Sequence, residues 1–565
     1  MTIQTAVNLD ATVATVNAAQ RDWAAMPVAQ RRKMLLEVGA LCADNAQRWV
    51  NIAAEIKGLP AGSPLVGEEW SSGPYAVQTY VEALAETLSR LDGDEVLRGY
   101  AVKPAPGGRQ SVSVLPHSVF DRLLFSGFAA DVWTRPGVTE VQLRERAGLT
   151  QLDPSHTGGV SVVLGAGNIF AIAPLDVLYE LFAHNRTVIL KLNPITDDLL
   201  SVYTDIFEPF IAGGLVAIVT GGADVGSALT SHPDITSVHM TGSEQTFNAI
   251  VWGSGAEGEA NRRLGERQVD KPVTAELGGI SPVIVVPGEW SKADLKFQAN
   301  HVATMRLHNG GFNCIAGQVV IVSSDWAQKD EFLAQVRTAI ADAPKRPGWY
   351  PGSDDRVSDA CTTYDQAEAV AGQRTLVTGL SLDDVEPALS TEYFAPVLGV
   401  AEIKGEGEVF LAHAIDASNE HLHGTLGANI IMDPKTKKAM GPSLEALVAR
   451  LRYGTIGVNA WTALGFLSPR ATWGAFPGHT PEDVQSGIGV VHNALLLDDV
   501  ERTVVSGPFR PLPRSLMGGE LSISPKPPWF VNNTTAATTA RRLTAFAAKP
   551  QWRKLPAIFA SALRG

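Results

Sequence analysis

Apolar and polar positions change their period twice along this chain. Residues 11–92 place apolar side chains at three- and four-residue steps, as in QRRKMLLEVGALCADNAQRW, which predicts amphipathic helices. Cys42 falls on that stripe and reads as a small core residue. Residues 93–157 are richer in Gly, Pro and Ser, are broken by PAPGG and RPG, and read as an irregular inserted arm. From Gly159 short β-branched runs (VSVVL, TVILKL, LVAIV, TSVHM, SPVIVV) alternate with helix-like segments such as APLDVLYELFAHN. Strand–helix alternation of this kind predicts a parallel α/β sheet. A second α/β stretch runs from about Gln318 to Thr480, and no internal repeat is visible.

Composition narrows the class without naming a chemistry. The 565 residues suffice for two to four domains, and 45% hydrophobic with 19% charged residues is the balance of a soluble globular protein. A formal charge of −13 argues against a phosphate-backbone partner. The start, MTIQTAVNLDATVA, has neither the cationic nor the apolar region of a secretory signal, and the longest nearly uncharged stretch, Val160–Leu175, is too short for a membrane span. Three scattered cysteines (Cys42, Cys314, Cys361) suit a reducing cytoplasm rather than a disulfide framework. No C-x-x-C pair is present, His421 and His423 lack partners at ligand spacing, and no metal site is expected.

Candidate chemistry lies at strand ends. LGAGNIF supplies Gly165 and Gly167 after a strand, but Phe170 stands where a third glycine would complete a dinucleotide fingerprint. HMTGSEQTFNAI is a better phosphate site, because a helix starts just after Thr241-Gly242-Ser243 and offers free N–H groups; a plain Ser243 N-cap explains the same residues. In KPVTAELGGISPVIVV, Glu276 ends a strand among apolar neighbours. Burial there should raise its pKa toward that of a general base, although a capping or ion-paired glutamate remains open. Cys314 follows 38 residues later in HNGGFNCIAGQ, where flanking glycines allow a substrate to approach. No G-x-S-x-G, H-E-x-x-H or Walker A motif occurs.

Together Asn168, Lys191, Thr241-Gly242-Ser243, Glu276-Leu277-Gly278-Gly279, Cys314 and Glu392-Tyr393-Phe394-Ala395-Pro396 resemble, in order and spacing, the aldehyde dehydrogenase superfamily. Lys191 follows Asn168 by 23 residues and Gly242 follows it by 74; LRYGTIGVNAW (Leu451–Trp461) is similar to a later stretch of that family. The resemblance spans residues 10–510 or so. It implies an α/β fold with a Rossmann-type parallel-sheet cofactor domain, an α/β catalytic domain and an oligomerisation arm. The expected division is 1–275 for NAD(P) binding, interrupted at 93–157 by the arm, then 276–480 for catalysis. Residues 481–565 would return to the cofactor domain and arm and end in a basic extension.

The resemblance also implies roles. Cys314 would be the nucleophile, Asn168 and the Cys314 N–H the oxyanion donors, and Glu276 the base for hydrolysis of a thioester. Lys191, Gly242, Ser243, Gly278, Glu392 and Phe394 would contact NAD or NADP, and the protein would be a cytoplasmic homodimer or homotetramer acting on a small aldehyde. Departures from the family pattern are Gly167, Phe170, Ile280 and Pro194; the last removes an acidic residue that favours NAD and keeps NADP open. A CoA-acylating reductase of the same fold and a catalytically silent scaffold are the competing readings. Glu276 argues against the first, and the joint presence of Asn168, Glu276 and Cys314 against the second. Phe312, Trp461 and Phe466 hint at an apolar substrate, although such residues also serve as plain core.

The tail breaks the charge pattern. Residues 521–565 hold seven basic residues and no acid, giving +7 against −20 for the rest. Trp552, Leu555, Phe559 and Leu563 fall at helical steps. The tail is expected to pack on the acidic body of its own or a neighbouring subunit in preference to an anionic membrane.

Overall fold

Met26-Pro27 divides the amino-terminal stripe into two helices, because the residue before a proline prefers extended backbone. In the computed structural model, which describes residues 8–91, 95–154 and 158–565, these are α1 (Leu9–Ala25) and α2 (Val28–Ile56). The short α3 (Val66–Trp70) and α4 (Ala76–Arg90) follow. Helix α2 buries Leu35, Val38, Cys42, Ala46, Trp49 and Ala53, the three- and four-residue steps read from the sequence. Burial pushes the Cys42 thiol up to about 12, so it is an inert core group.

The strands are β1 (Val102–Ala105), β2 (Arg109–Leu115), β3 (Ala129–Thr134), β4 (Val160–Leu164), β5 (Thr187–Lys191), β6 (Val216–Val219), β7 (Ser237–Gly242), β8 (Val273–Leu277), β9 (Ser281–Val285), β10 (Gly317–Ser323), β11 (Ala367–Ala371), β12 (Arg374–Leu380), β13 (Val397–Ile403), β14 (Gly427–Ile431), β15 (Thr455–Val458), β16 (Gly487–Ile488) and β17 (Val500–Ser506). One sheet runs β16-β8-β7-β4-β5-β6 and is parallel except for β16. The other runs β1-β2-β3-β17-β15-β14-β9-β10-β13-β12-β11. Its central strands are parallel and buried on both faces, which is why SPVIV and GQVVIVS read as continuous apolar runs rather than alternations. The chain crosses from the first sheet to the second between Leu277 and Ser281, so Glu276 stands next to the end of a strand beside the crossing.

Residues 93–157, expected to be irregular, instead hold β1, β2 and β3. The breakers PAPGG and RPG are turns rather than loop filler: the first joins β1 to β2, and the second follows β3. β3 pairs antiparallel with β17, which pairs with β15, so these strands extend the chain's own sheet. The exposed edge strand β1 carries Pro104, which cannot donate to a further strand.

The tail lies on its own chain as two helices, Ala536–Ala548 and Leu555–Ala562. Ala540 joins Ala46, Val50 and Trp70, while Phe546, Leu555 and Ile558 pack with Phe120, Leu123 and Leu124. Lys526, Lys554, Arg542 and Arg564 donate to the tail's own carbonyls, so apolar burial rather than the expected attraction to an acidic body seats it. Trp552 stays 58% exposed against Phe120. Among the described residues no helix is long and apolar enough to cross a membrane.

Candidate active site

A cavity of about 1150 Å³ opens along the carboxyl ends of β4, β5 and β7 and reaches Asn168, Glu276 and Cys314. This is where an open parallel sheet binds its ligands, since helices begin there and turn free N–H groups toward the crevice.

Cys314 sits between the turn His308–Gly311 and β10 and is partly reachable. The turn holds Asn309 at φ 55°, a left-handed conformation asparagine tolerates better than most residues. Its side-chain amide donates to the carbonyls of Asn168 and Phe312, both at 3.1 Å, and Asn168 Nδ2 donates to Phe312 O at 2.9 Å. The nucleophile loop and the Asn168 loop are therefore stitched together. One N–H of the Asn168 amide is occupied by Phe312, and Asn168 itself lines the cavity. Burial raises the Cys314 thiol above its ordinary range, the Glu276 and Glu392 carboxylates add to this, and the backbone N–H groups of Cys314 and Ile315 oppose it.

Glu276 is 6% exposed, and its Oε1 has no hydrogen-bond partner. Burial holds its carboxyl well above the usual carboxylate range; Asp176 raises it further, while His239 and a hydrogen bond from Trp473 oppose. The expectation of purely apolar neighbours is thus corrected. Thr241 and Glu276 are direct partners across β7 and β8, and Thr241 Oγ1 donates to Asp176 Oδ2 at 3.2 Å. His239 Nε2 lies 3.5 Å from Asp176 Oδ2, and His492 Nε2 lies 3.3 Å from Oδ1. Burial works against the charge on His239, but Asp176 outweighs it and lifts this imidazole to about 9. A period-two strand places His239, Thr241 and Glu276 on one face, so the polar residues of β7 and β8 build one buried cluster against Asp176.

The other expected residues line the same cavity: Lys191 ending β5, Gly242 ending β7 with Ser243 just after it, and Gly278, Glu392 and Phe394. Ser243 caps its own helix, accepting from Thr246 N at 3.2 Å, so the capping role and the place at the cavity coexist. A Cβ at Gly278 would meet the Glu392 carboxylate, which would have to move aside. Burial lifts Glu392 to about 8, with Arg306 and Arg356 opposing. Phe394 sits at φ 42° and packs on Phe312 and Tyr350. Of the three apolar residues noted in the sequence, Phe312 and Trp461 are buried core; Phe466 keeps partial exposure and packs toward Ile169 and Ile172. Sequence reading missed Asp176, His239, His492, Arg306, Tyr350 and Arg356. The His239 signal was present in TSVHM, a polar residue two positions before Thr241 on the same strand face.

Residues 128–353, which contain Asn168, Lys191, Ser243, Glu276 and Cys314, match the family model described as the aldehyde dehydrogenase family. That segment of the chain is thus similar to the aldehyde dehydrogenase family. It is 29% identical over 281 residues to an aldehyde dehydrogenase of Enchytraeus buchholzi, a match covering 45% of this chain and 50% of that one. The matched stretch thus spans half the length of that relative. Among solved structures, bifunctional proline utilization A superposes with a TM-score of 0.59 at 18% identity, over 89% of this chain and 45% of that one. An NAD-dependent aldehyde dehydrogenase from Sinorhizobium meliloti gives 0.57 at 18%, over 90% and 88%. A Mycobacterium tuberculosis aldehyde dehydrogenase complexed with NAD+ gives 0.58 at 18%, over 89% and 91%. These structural likenesses establish the aldehyde dehydrogenase fold.

Proposed function

We propose that this chain oxidises an aldehyde to the carboxylic acid with NAD or NADP, through covalent catalysis by Cys314. The observation that carries this reading is the meeting of Asn168, Glu276 and Cys314 at one cavity of about 1150 Å³. The β4–β8 sheet is read as the cofactor-binding unit and the sheet carrying β10 as the catalytic unit. The cavity suits a dinucleotide in its chemistry: the Lys191 ammonium, the helix start at Ser243, and a Glu392 carboxylate fitted against side-chain-free Gly278. Those residues would hold the cofactor, and when bound it supplies the hydride acceptor.

The chain's own steps follow from charge and position. The Cys314 thiol gives its proton to the ionised form of Glu276, whose proton affinity burial raises, so the carboxyl is neutral beside the thiolate; Glu276 releases that proton to solvent before the hydrolytic step. Sulfur attacks the aldehyde carbon, and the second Asn168 N–H with the Cys314 backbone N–H stabilises the alkoxide. After oxidation to the thioester, Glu276 in its ionised form takes a proton from water. The resulting hydroxide adds to the acyl carbon and the Cys314 thiolate leaves. Mixing the protein with an aldehyde panel and either nicotinamide, and following reduced cofactor, tests the reading. Turnover dependent on Cys314 supports it, and no reduction with any aldehyde removes it. Initial-rate specificity should differ between NAD and NADP by less than about tenfold or favour NADP, because Pro194 places no carboxylate against a 2′-phosphate. The proposed homo-oligomer is checked by light scattering.

A further inference from the structure

We propose that Glu68, on α3, is a positioning residue that holds the Asn309 turn and through it aligns Cys314 with the Asn168 amide. The proposal rests on the reading of Cys314 as the nucleophile. Glu68 Oε2 accepts the Asn309 backbone N–H at 3.0 Å and Arg346 Nη1 at 2.8 Å, with the Glu68 and Arg346 side chains only 6% and 8% exposed. Asn309 is the residue at φ 55° whose amide grips both the Asn168 and the Phe312 carbonyls. One carboxylate oxygen is therefore the far end of a chain of hydrogen bonds leading to the oxyanion amide and to the backbone two residues before Cys314. A buried charged acceptor holds an N–H more firmly than a carbonyl does, which is what a turn in an unfavourable conformation requires.

The surroundings favour the charged form of Glu68 and hold it in place. Burial pushes against its charge, yet Arg346, His308 and Lys57 hold its carboxyl below the usual range, while the adjacent Glu69 is matched by Lys57 at 2.8 Å. From behind, α3 is pinned by the tail: Gly67 lies so close to the backbone of Ala536 and Ala537 that a Cβ would overlap it. The carboxyl-terminal extension thus braces the helix that holds the nucleophile loop.

The decisive comparison uses two full-length double variants, Glu68→Ala/Arg346→Met and Glu68→Gln/Arg346→Met. Both remove the buried charge pair, and they differ in whether an acceptor oxygen faces Asn309. We expect the alanine pair to lose roughly 30–100-fold of the single-turnover rate of nicotinamide reduction, the cost of a misplacement near 1 Å. The glutamine pair should recover most of that rate. KM for the aldehyde and nicotinamide affinity should stay within about twofold in both, since only alignment changes. Equal rates in the two pairs overturn the proposal. If wild type oxidises no aldehyde, the reaction assignment fails separately, and the rate of Cys314 alkylation by iodoacetamide in the same pairs still decides the positioning role. If the alanine pair does not fold, Glu68→Asp is the measure, because it keeps the charge toward Arg346 and withdraws the oxygen from Asn309. A loss of about tenfold supports the proposal, and a wild-type rate overturns it.

Discussion

Glu68 and Glu276 are both 6% exposed, yet their proton affinities move in opposite directions. Burial disfavours charge on each. Glu68 escapes because Arg346 donates to it and His308 and Lys57 add positive charge nearby. Glu276 has the Trp473 hydrogen bond and a distant share of His239, and it faces a second carboxylate, Asp176. The difference teaches that burial sets only the cost of a charge, whereas neighbouring donors and positive charges decide whether the charge persists. A permanently ionised carboxylate makes an anchor; one poised between forms makes an acid–base group.

The comparison can be broken most severely at the residue both carboxylates serve. Cys314→Ala should abolish both the burst and the steady-state formation of reduced nicotinamide, with cofactor affinity within about twofold of wild type by fluorescence titration. An affinity that falls in step with the rate would show damage to the fold. Next, Glu276→Gln should leave the burst and lower steady-state turnover by about 10²–10⁴-fold, the range of a lost general base. A quench-flow trace with both phases equally reduced would make Glu276 an anchor like Glu68.

A subtler change exchanges one environment for the other. Asp176→Asn removes the charge that lifts Glu276, and this outweighs the accompanying loss of His239's opposing charge. The acid limb of the turnover profile should therefore move to lower pH, since the ionised form of Glu276 is then reached earlier. A limb that stays in place would show that Asp176 does not tune the base.

The smallest effect is thermodynamic. Glu68 has a depressed folded-state pKa, so its stability is present above the unfolded carboxylate range and is lost as pH falls through the folded value. Glu276 has a raised one, so wild type loses stability as pH climbs through its folded value. Glu68→Gln should lower the melting temperature by about 2 °C or more near pH 7, with the deficit closing in acid. Glu276→Gln should raise it, and more so in alkali. Parallel melting curves across pH for either variant would contradict the assigned shift.

The chemistry was legible where it sat on the backbone's own regularities. Lys191 ends a strand, Glu276 is next to the end of one and Ser243 directly follows one, and the parallel sheet gathers strand ends at one crevice whatever the side chains are. Cys314 betrayed itself by its glycines. Residues 93–157 were misread because hairpin turns and loops use the same Gly and Pro vocabulary, and only a partner strand tells them apart. Asp176 was hidden in an apolar helix, Ile172–Ala183, that is buried all round.

By itself the sequence determined the helical amino-terminal region, the parallel α/β core, the superfamily resemblance and the residues placed at the strand ends, since these follow from local period and motif spacing. Tertiary structure alone decided that the arm strands extend the chain's own sheet and that apolar contact seats the basic tail. It likewise decided that the proton affinities of Glu68 and Glu276 move in opposite directions. Each of these depends on groups far apart in the chain, such as Glu68 with Asn309 and Arg346, and their meeting is settled by packing rather than by local preference.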